Sequence, residues 1–134
     1  MVNEPIVFKF KNPESPNTLY LDRDGVLNDV IIRGAEISSP RKLEEIKITN
    51  DLDIFENLEI LNKWNYVIIS NQPDIARGLI DEKFIEEVNK RICSRIRINA
   101  SYICPHPKLD NCDCRKPKTG LIDRFRLDFP HIKG

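Results

Sequence analysis

Three short apolar runs constrain this chain more than any other feature. Leu19-Tyr20-Leu21, Tyr66-Val67-Ile68-Ile69 and Ser101-Tyr102-Ile103 each stop in a polar loop dense with reactive side chains. Successive apolar side chains need cover on both faces, which suits strands buried inside a parallel sheet. Segments of helical spacing lie between and after them. Asn50 or Asp51 is placed to cap a helix running to about Trp64, with Leu52, Phe55, Leu58 and Leu61 along one face. Asn65 is placed to end it in a left-handed turn. Asp81 is placed to cap a second helix whose apolar face is Phe84, Ile85, Val88, Ile92 and Ile96. A third is predicted from Leu121 to about Leu127. Alternating strands and helices predict an α/β fold, a Rossmann-like three-layer parallel sheet with right-handed crossovers. Ligands of such sheets bind beyond the carboxyl ends of the strands, where all three polar loops fall.

The chain has 134 residues, enough for one ordinary domain. Residues 1–17 hold a short alternating run at 6–10 and a Pro/Asn/Ser turn cluster, and read as an N-terminal extension. Residues 18–134 read as the domain proper, and 29–48, with Gly34, Pro40 and mixed charge, as a flap or hairpin. Twenty-one Lys+Arg balance 21 Asp+Glu, so no uniform basic field exists to hold a polyphosphate backbone. That argues against general nucleic-acid binding. No apolar run approaches the ~20 residues of a membrane helix, and the N-terminus lacks the pattern of a secretory signal. The expected location is therefore cytoplasmic.

In a reducing compartment clustered cysteines read as metal ligands, not disulfides. Cys104-x-His106-x5-Cys112-x-Cys114 offers a Cys3His set suited to tetrahedral Zn²⁺, within the loop 104–114. Four protein ligands leave no open position, so the predicted ion is structural. Cys93 stands apart in an apolar pattern and reads as a buried free thiol. Asp22 and Asp24, two apart at the end of the first strand, present two carboxylates to one side, with Gly25 permitting close backbone approach. Such a pair shares a cation, or divides nucleophile and acid roles, or simply closes the strand with an Asx turn. Ser70-Asn71-Gln72 after the second strand offers hydroxyl and amide donors to an anionic oxygen. Arg115-Lys116-Pro117 sets two cations at a proline-fixed turn, suited to clamping a phosphate.

In order, these segments resemble haloacid-dehalogenase-superfamily phosphatases. Asp22-Arg23-Asp24-Gly25-Val26-Leu27-Asn28 is similar to the first motif, Ser70-Asn71-Gln72 to the second, and Lys116 in Cys-Asp-Cys-Arg-Lys-Pro to the third. The Cys/His loop before Arg-Lys-Pro resembles the subgroup of histidinol-phosphate and D-glycero-D-manno-heptose bisphosphate phosphatases. Ile75-Ala76-Arg77-Gly78 is more similar to the latter. The resemblance implies Mg²⁺-dependent hydrolysis of a small sugar-phosphate-type phosphomonoester. Asp22 would be the nucleophile and Asp24 the acid and base. Mg²⁺ would sit on the Asp22 carboxylate and the Asp24 backbone carbonyl. Ser70, Asn71 and Lys116 would hold the phosphate oxygens, and Arg115 the substrate side.

The family's fourth motif, an acidic cluster after a further strand, is not found. The expectation is a fragment lacking the last strands, with an open sheet edge inviting self-association unless a partner or the run 6–10 covers it. Histidinol phosphate as substrate, a zinc-stabilised piece binding phosphate or a partner without turnover, and a phosphatase of nucleic-acid 3′ ends are the alternatives.

Overall fold

The computed structural model describes residues 4–52 and 63–132. Its strands are β1 (Ile6–Lys9), β2 (Thr18–Leu21), β3 (Ile31–Arg33), β4 (Glu36–Ser38), β5 (Asn65–Asn71) and β6 (Ala100–Cys104). Its helices are α1 (Glu82–Cys93) and α2 (Gly120–Asp128). The main sheet has the order β1-β6-β5-β2, and β3 and β4 form a separate hairpin. β2, β5 and β6 run parallel, as the apolar runs predict, while β1 joins β6 antiparallel.

Side chains alternate across β5 and fill a core on each face. Tyr66 and Ile68 join Leu21, Val88, Ile92, Ile96 and Ile98 on the α1 side. Val67 joins Ala100, Tyr102, Leu121 and Phe125 on the α2 side. This two-sided burial makes the sheet the middle of three layers, with each fully buried Ile, Leu or Phe contributing about 1.5–3 kcal/mol. Phe125 anchors α2, meeting Tyr20 and Tyr102 edge-on at 5.9 Å each. Asp81 caps α1 by accepting from the Phe84 N–H, as its position in the sequence predicts. α1 then buries Ile85, Val88 and Ile92. Cys93 is half-buried against that core, and burial raises its thiol pKa.

The helix expected from Asn50 to Trp64 lies largely outside the described residues; Asn50–Leu52 form a 3-10 turn. Asn65 does not adopt a left-handed conformation. It opens β5 opposite Thr18, and its side chain bonds the backbone of Ser15 and the Thr18 hydroxyl. Those partners, some fifty positions away, hold it extended. The segment 6–10 lies beside β6, at the edge opposite β2. It therefore does not cover β2, which pairs only with β5 among the described residues.

The hairpin β3–β4 is tied down by its own ion pair. Arg33 donates from Nη1 and Nη2 to the Glu45 carboxylate at 2.9 and 2.8 Å, and the Arg41 backbone N–H adds a third bond. The Arg33 hydrogen bonds bring Glu45 from 4.5 down to about 2, against an opposing effect of burial. A carboxylate depressed in the folded state contributes stability that is complete above its unfolded value and lost as pH falls through the folded one. The hairpin's attachment is expected to hold at neutral pH and to loosen as pH falls from about 4.5 towards 2. Amide exchange protection of residues 31–38, referred to that of α1, measures this. Protection constant relative to α1 down to pH 2 would contradict it.

Candidate active site and metal centre

Parallel register brings the strand ends together. Leu21 pairs with Ile68 and Asn71 with Cys104, so the loops after β2, β5 and β6 emerge side by side. The Gln72 N–H donates to the Cys104 carbonyl at 2.8 Å and extends the β5–β6 contact by one bond.

Asp22 is half exposed, and one carboxylate oxygen is in direct contact with Lys116 Nζ. That ammonium also donates to the Ile69 carbonyl at 3.1 Å. Burial lowers the Lys116 pKa. The adjacent carboxylate works the other way and favours the charged ammonium. Asn71 holds the loop that carries this lysine: its Oδ1 accepts from the Lys116 N–H at 3.0 Å, and its Nδ2 donates to the Lys116 carbonyl at 3.3 Å. Both ends of the Asn71 amide are therefore engaged in positioning Lys116.

Asp24 gathers five donor contacts. Arg23 Nε and Nη2 and Asn28 Nδ2 reach Oδ1 at 3.2, 2.9 and 2.9 Å. Ser39 Oγ and Gln72 Nε2 reach Oδ2 at 2.8 and 2.7 Å. Burial works against its charge, but the Arg23 guanidinium and the hydrogen bonds from Asn28, Arg23 and Ser39 outweigh it. They hold the carboxyl below its usual range. Gln72 also donates to the buried Ser70 hydroxyl at 2.7 Å, linking the loops after β2 and β5. The Asp24 backbone carbonyl accepts no hydrogen bond from the described residues, while the flanking Arg23 and Asn28 carbonyls do.

Gln72, read from the sequence with Ser70 and Asn71 as a donor to an anionic oxygen, gives its amide to Asp24, whereas Arg23 and Ser39 do not stand out as site residues in the sequence. Arg23 had a signal: alternation between two outward acids turns it inward, and a fully buried arginine needs a carboxylate. Ser39 had none, because only the hairpin brings it to Asp24. Arg115 is not seen bonded to either acid; it lines, with Lys116, Lys118 and Cys112, a cavity of about 260 Å³. Asp123 and Asp128 are engaged elsewhere, by Thr119 and by Tyr102 with Arg124.

The second constellation is as the spacing predicts. Cys104, His106, Cys112 and Cys114 are all buried, with one ligand atom from each within 4.8 Å of the others. Sγ of Cys104 and Cys112 are 3.4 Å apart, and those of Cys112 and Cys114 3.7 Å. His106 Nδ1 is 3.5 and 3.2 Å from Cys104 and Cys114 Sγ. A tetrahedron with bonds of about 2.0–2.3 Å has edges of roughly 3.3–3.8 Å, so this donor set fits one four-coordinate ion. Burial raises the Cys104 thiol, and burial with both neighbouring sulfurs raises Cys114. Cys112 falls to about 7, since its hydrogen bonds outweigh burial.

The loop is braced by α2. Gly120 N–H donates to the Asp113 carbonyl at 3.0 Å. A methyl group on Gly120 would overlap that carbonyl and lie 2.7 Å from Cys114 Cα. Gly120→Ala is expected to cost about 1–3 kcal/mol, through displaced backbone. Denaturant unfolding would read it, and an unchanged midpoint would count against this packing.

No family model matches the chain. It is 36% identical over 122 residues to D-glycero-alpha-D-manno-heptose-1,7-bisphosphate 7-phosphatase of Campylobacter jejuni, covering 83% of this chain and 65% of that protein. It is 31% identical over 113 residues to the histidine biosynthesis bifunctional protein HisB of Actinobacillus pleuropneumoniae, covering 81% and 30%. Its fold matches the crystal structure of D,D-heptose 1,7-bisphosphate phosphatase from B. bronchiseptica, complexed with magnesium and phosphate. The TM-score is 0.69 at 26% identity, covering 85% of this chain and 64% of that one. The chain thus spans less than two thirds of each of these relatives. Among the described residues, no helix is long and apolar enough to cross a membrane.

Proposed function

Because the chain belongs to the haloacid-dehalogenase-superfamily phosphatases, in the group of heptose bisphosphate and histidinol-phosphate phosphatases, we propose that it carries a Mg²⁺-dependent phosphomonoesterase site of the sugar-phosphate type. The observation that carries this reading is Asp22, half exposed at a strand end and held against a lysine that the neighbouring strand β5 positions. A carboxylate so placed meets phosphorus with its negative oxygens already countered by Lys116.

The donors for magnesium are the Asp22 carboxylate and the uncommitted Asp24 carbonyl, hard oxygens of the kind Mg²⁺ takes. Bound there, the ion would neutralise charge on the phosphoryl oxygens. Asp24 acts on the alcohol. Its network favours the carboxylate, ready to draw a proton from water in the hydrolytic half of the reaction. In the first half it would return to the leaving oxygen the proton drawn from water in the preceding turnover, and the Ser39 hydroxyl, able to donate or accept, would turn to match. Ser70 and Lys116 offer donors to the phosphate oxygens. Asn71 supports them through the backbone of Lys116, and Arg115 flanks the substrate.

At the Cys/His centre we propose structural Zn²⁺ on Cys104, His106 Nδ1, Cys112 and Cys114. The ion would let three crowded thiols ionise together and would fix the loop leading to Arg115 and Lys116. A cytoplasmic location fits this reduced thiolate centre.

The test is phosphate release from heptose 1,7-bisphosphate and histidinol phosphate, with Mg²⁺ and without added Mg²⁺. Release that needs Mg²⁺ and favours the bisphosphate is expected. Release that proceeds equally without Mg²⁺ would contradict the magnesium site, and a preference for histidinol phosphate would move the chain to the other branch.

A further inference from the structure

Gln72 follows β5 directly and is fully buried between the carboxylate of Asp24 and the hydroxyl of Ser70. Its Nε2 donates to Asp24 Oδ2 and to Ser70 Oγ, each at 2.7 Å. An amide nitrogen has two protons to give and accepts none, so both bonds have a fixed direction. The orientation of the amide is fixed as well, because turning it over would set Oε1 against the Asp24 carboxylate. Oε1 is buried and has no partner among the described residues. The hydrogen bonding of this side chain therefore runs through its nitrogen alone. A buried acceptor without a partner costs stability, so packing would be served better here by an apolar side chain of the same shape.

Two consequences follow from that one nitrogen. Ser70 Oγ accepts from Gln72, so its own proton must point elsewhere, and no acceptor for it is found among the described residues. The O–H is thus held ready for a phosphate oxygen. Without the Gln72 bond the hydroxyl would rotate freely. Asp24 is aligned in the same way. Its Oδ1 faces Arg23 and Asn28, which only donate. Its Oδ2 faces Gln72 and Ser39, and of these only the serine can turn to accept. A proton carried by Asp24 therefore sits on Oδ2, and Gln72 fixes which lone pair of that oxygen holds it.

We propose that Gln72 is a positioning residue for both groups. Its amide nitrogen turns the Ser70 hydroxyl towards the phosphate and holds the Asp24 carboxyl towards the leaving alcohol. The inference rests on the phosphatase reading for the role of Asp24, whereas the orientation of Ser70 is measurable by binding alone.

The experiment compares the wild type, Ser70→Ala, Gln72→Met and the double variant, in Mg²⁺ and without a chelator. Methionine is as long and flexible as glutamine but offers no N–H. In calorimetric titration with inorganic phosphate, affinity is expected to fall about 3–10-fold in Gln72→Met and in Ser70→Ala, the scale of one hydrogen bond. The double variant should bind as Ser70→Ala does, since Gln72 acts on phosphate through that hydroxyl. kcat/KM is then compared for heptose 1,7-bisphosphate and p-nitrophenyl phosphate. Gln72→Met should lose about 10-fold more on the sugar phosphate, because nitrophenolate leaves without a proton. Ser70→Ala should lose equally on both. A displaced loop would instead lower both substrates alike in Gln72→Met. Additive losses of phosphate affinity, equal kcat/KM losses of Gln72→Met on the two substrates, a Gln72→Met protein that does not fold, or a wild type that binds no phosphate would each overturn the inference. A wild type with the expected coupling in phosphate affinity that turns over neither substrate would keep the orientation of Ser70 and lose the phosphatase reading.

Discussion

Phosphate release is expected to disappear when Asp22 is replaced by asparagine, by roughly 10⁴–10⁶-fold, the scale on which removing a covalent nucleophile acts. An amide is a poor nucleophile and a poor magnesium ligand, so one substitution removes two contributions together. The fold should survive it. Asp22 is half exposed, and Lys116 keeps its bond to the Ile69 carbonyl and its backbone ties to Asn71. Asp24→Asn removes acid and base help instead, a loss of about 10²–10⁴-fold. It also disturbs a network, since Arg23 is fully buried and Asp24 is its partner. The two variants therefore separate by stability as well as rate: Asp22→Asn should unfold near the wild-type midpoint, and Asp24→Asn below it. Turnover by Asp22→Asn within tenfold of wild type would remove the covalent route.

Loss of a ligand of the proposed Zn²⁺ is expected to have the second large effect, and it falls on folding. Cys104, Cys112 and Cys114 belong to the same core cluster as Val67, Tyr102, Leu121 and Phe125. A structural Zn²⁺ contributes on the order of 10 kcal/mol in small zinc domains, and breaking its site here is expected to exceed the whole margin of an ordinary domain. Cys112→Ser should yield little folded protein, and a strong chelator should unfold the wild type, with Zn²⁺ restoring it. Elemental analysis should find one equivalent of zinc per chain. A zinc-free protein of unchanged stability, with its thiols free, would contradict the assignment.

Much of the fold could be read in advance because its signals are local. β2, β5 and β6 are apolar on successive residues, and Asp81 sits one residue before its helix. The Cys3His spacing lies within eleven residues, so the sequence alone brings its ligands close. What escaped depends on distant partners. Asn65 suits a helix end as well as a strand start, and its bonds to Ser15 and Thr18 decide between them. β1 reads as a strand, yet its place beside β6 rests on pairing Ile6 with Ile103. The two acids were legible as a pair at a strand end. Their inequality was not, because Ser39 and Gln72 reach Asp24 from 15 and 48 positions away. Asn71 illustrates the same limit: its residue type suits phosphate binding, but register places the Lys116 backbone against its amide.

The central claim is that Asp22 itself takes the phosphoryl group. Its most direct test is rapid quenching of the Asp24→Asn protein during turnover in Mg²⁺, followed by peptide mass analysis. That variant slows hydrolysis of the intermediate, so a phosphoryl adduct should accumulate on the peptide containing Asp22, disappear in hydroxylamine and be absent from the Asp22→Asn,Asp24→Asn protein. Continued phosphate release with no adduct on Asp22, or an adduct on another residue, would contradict the account.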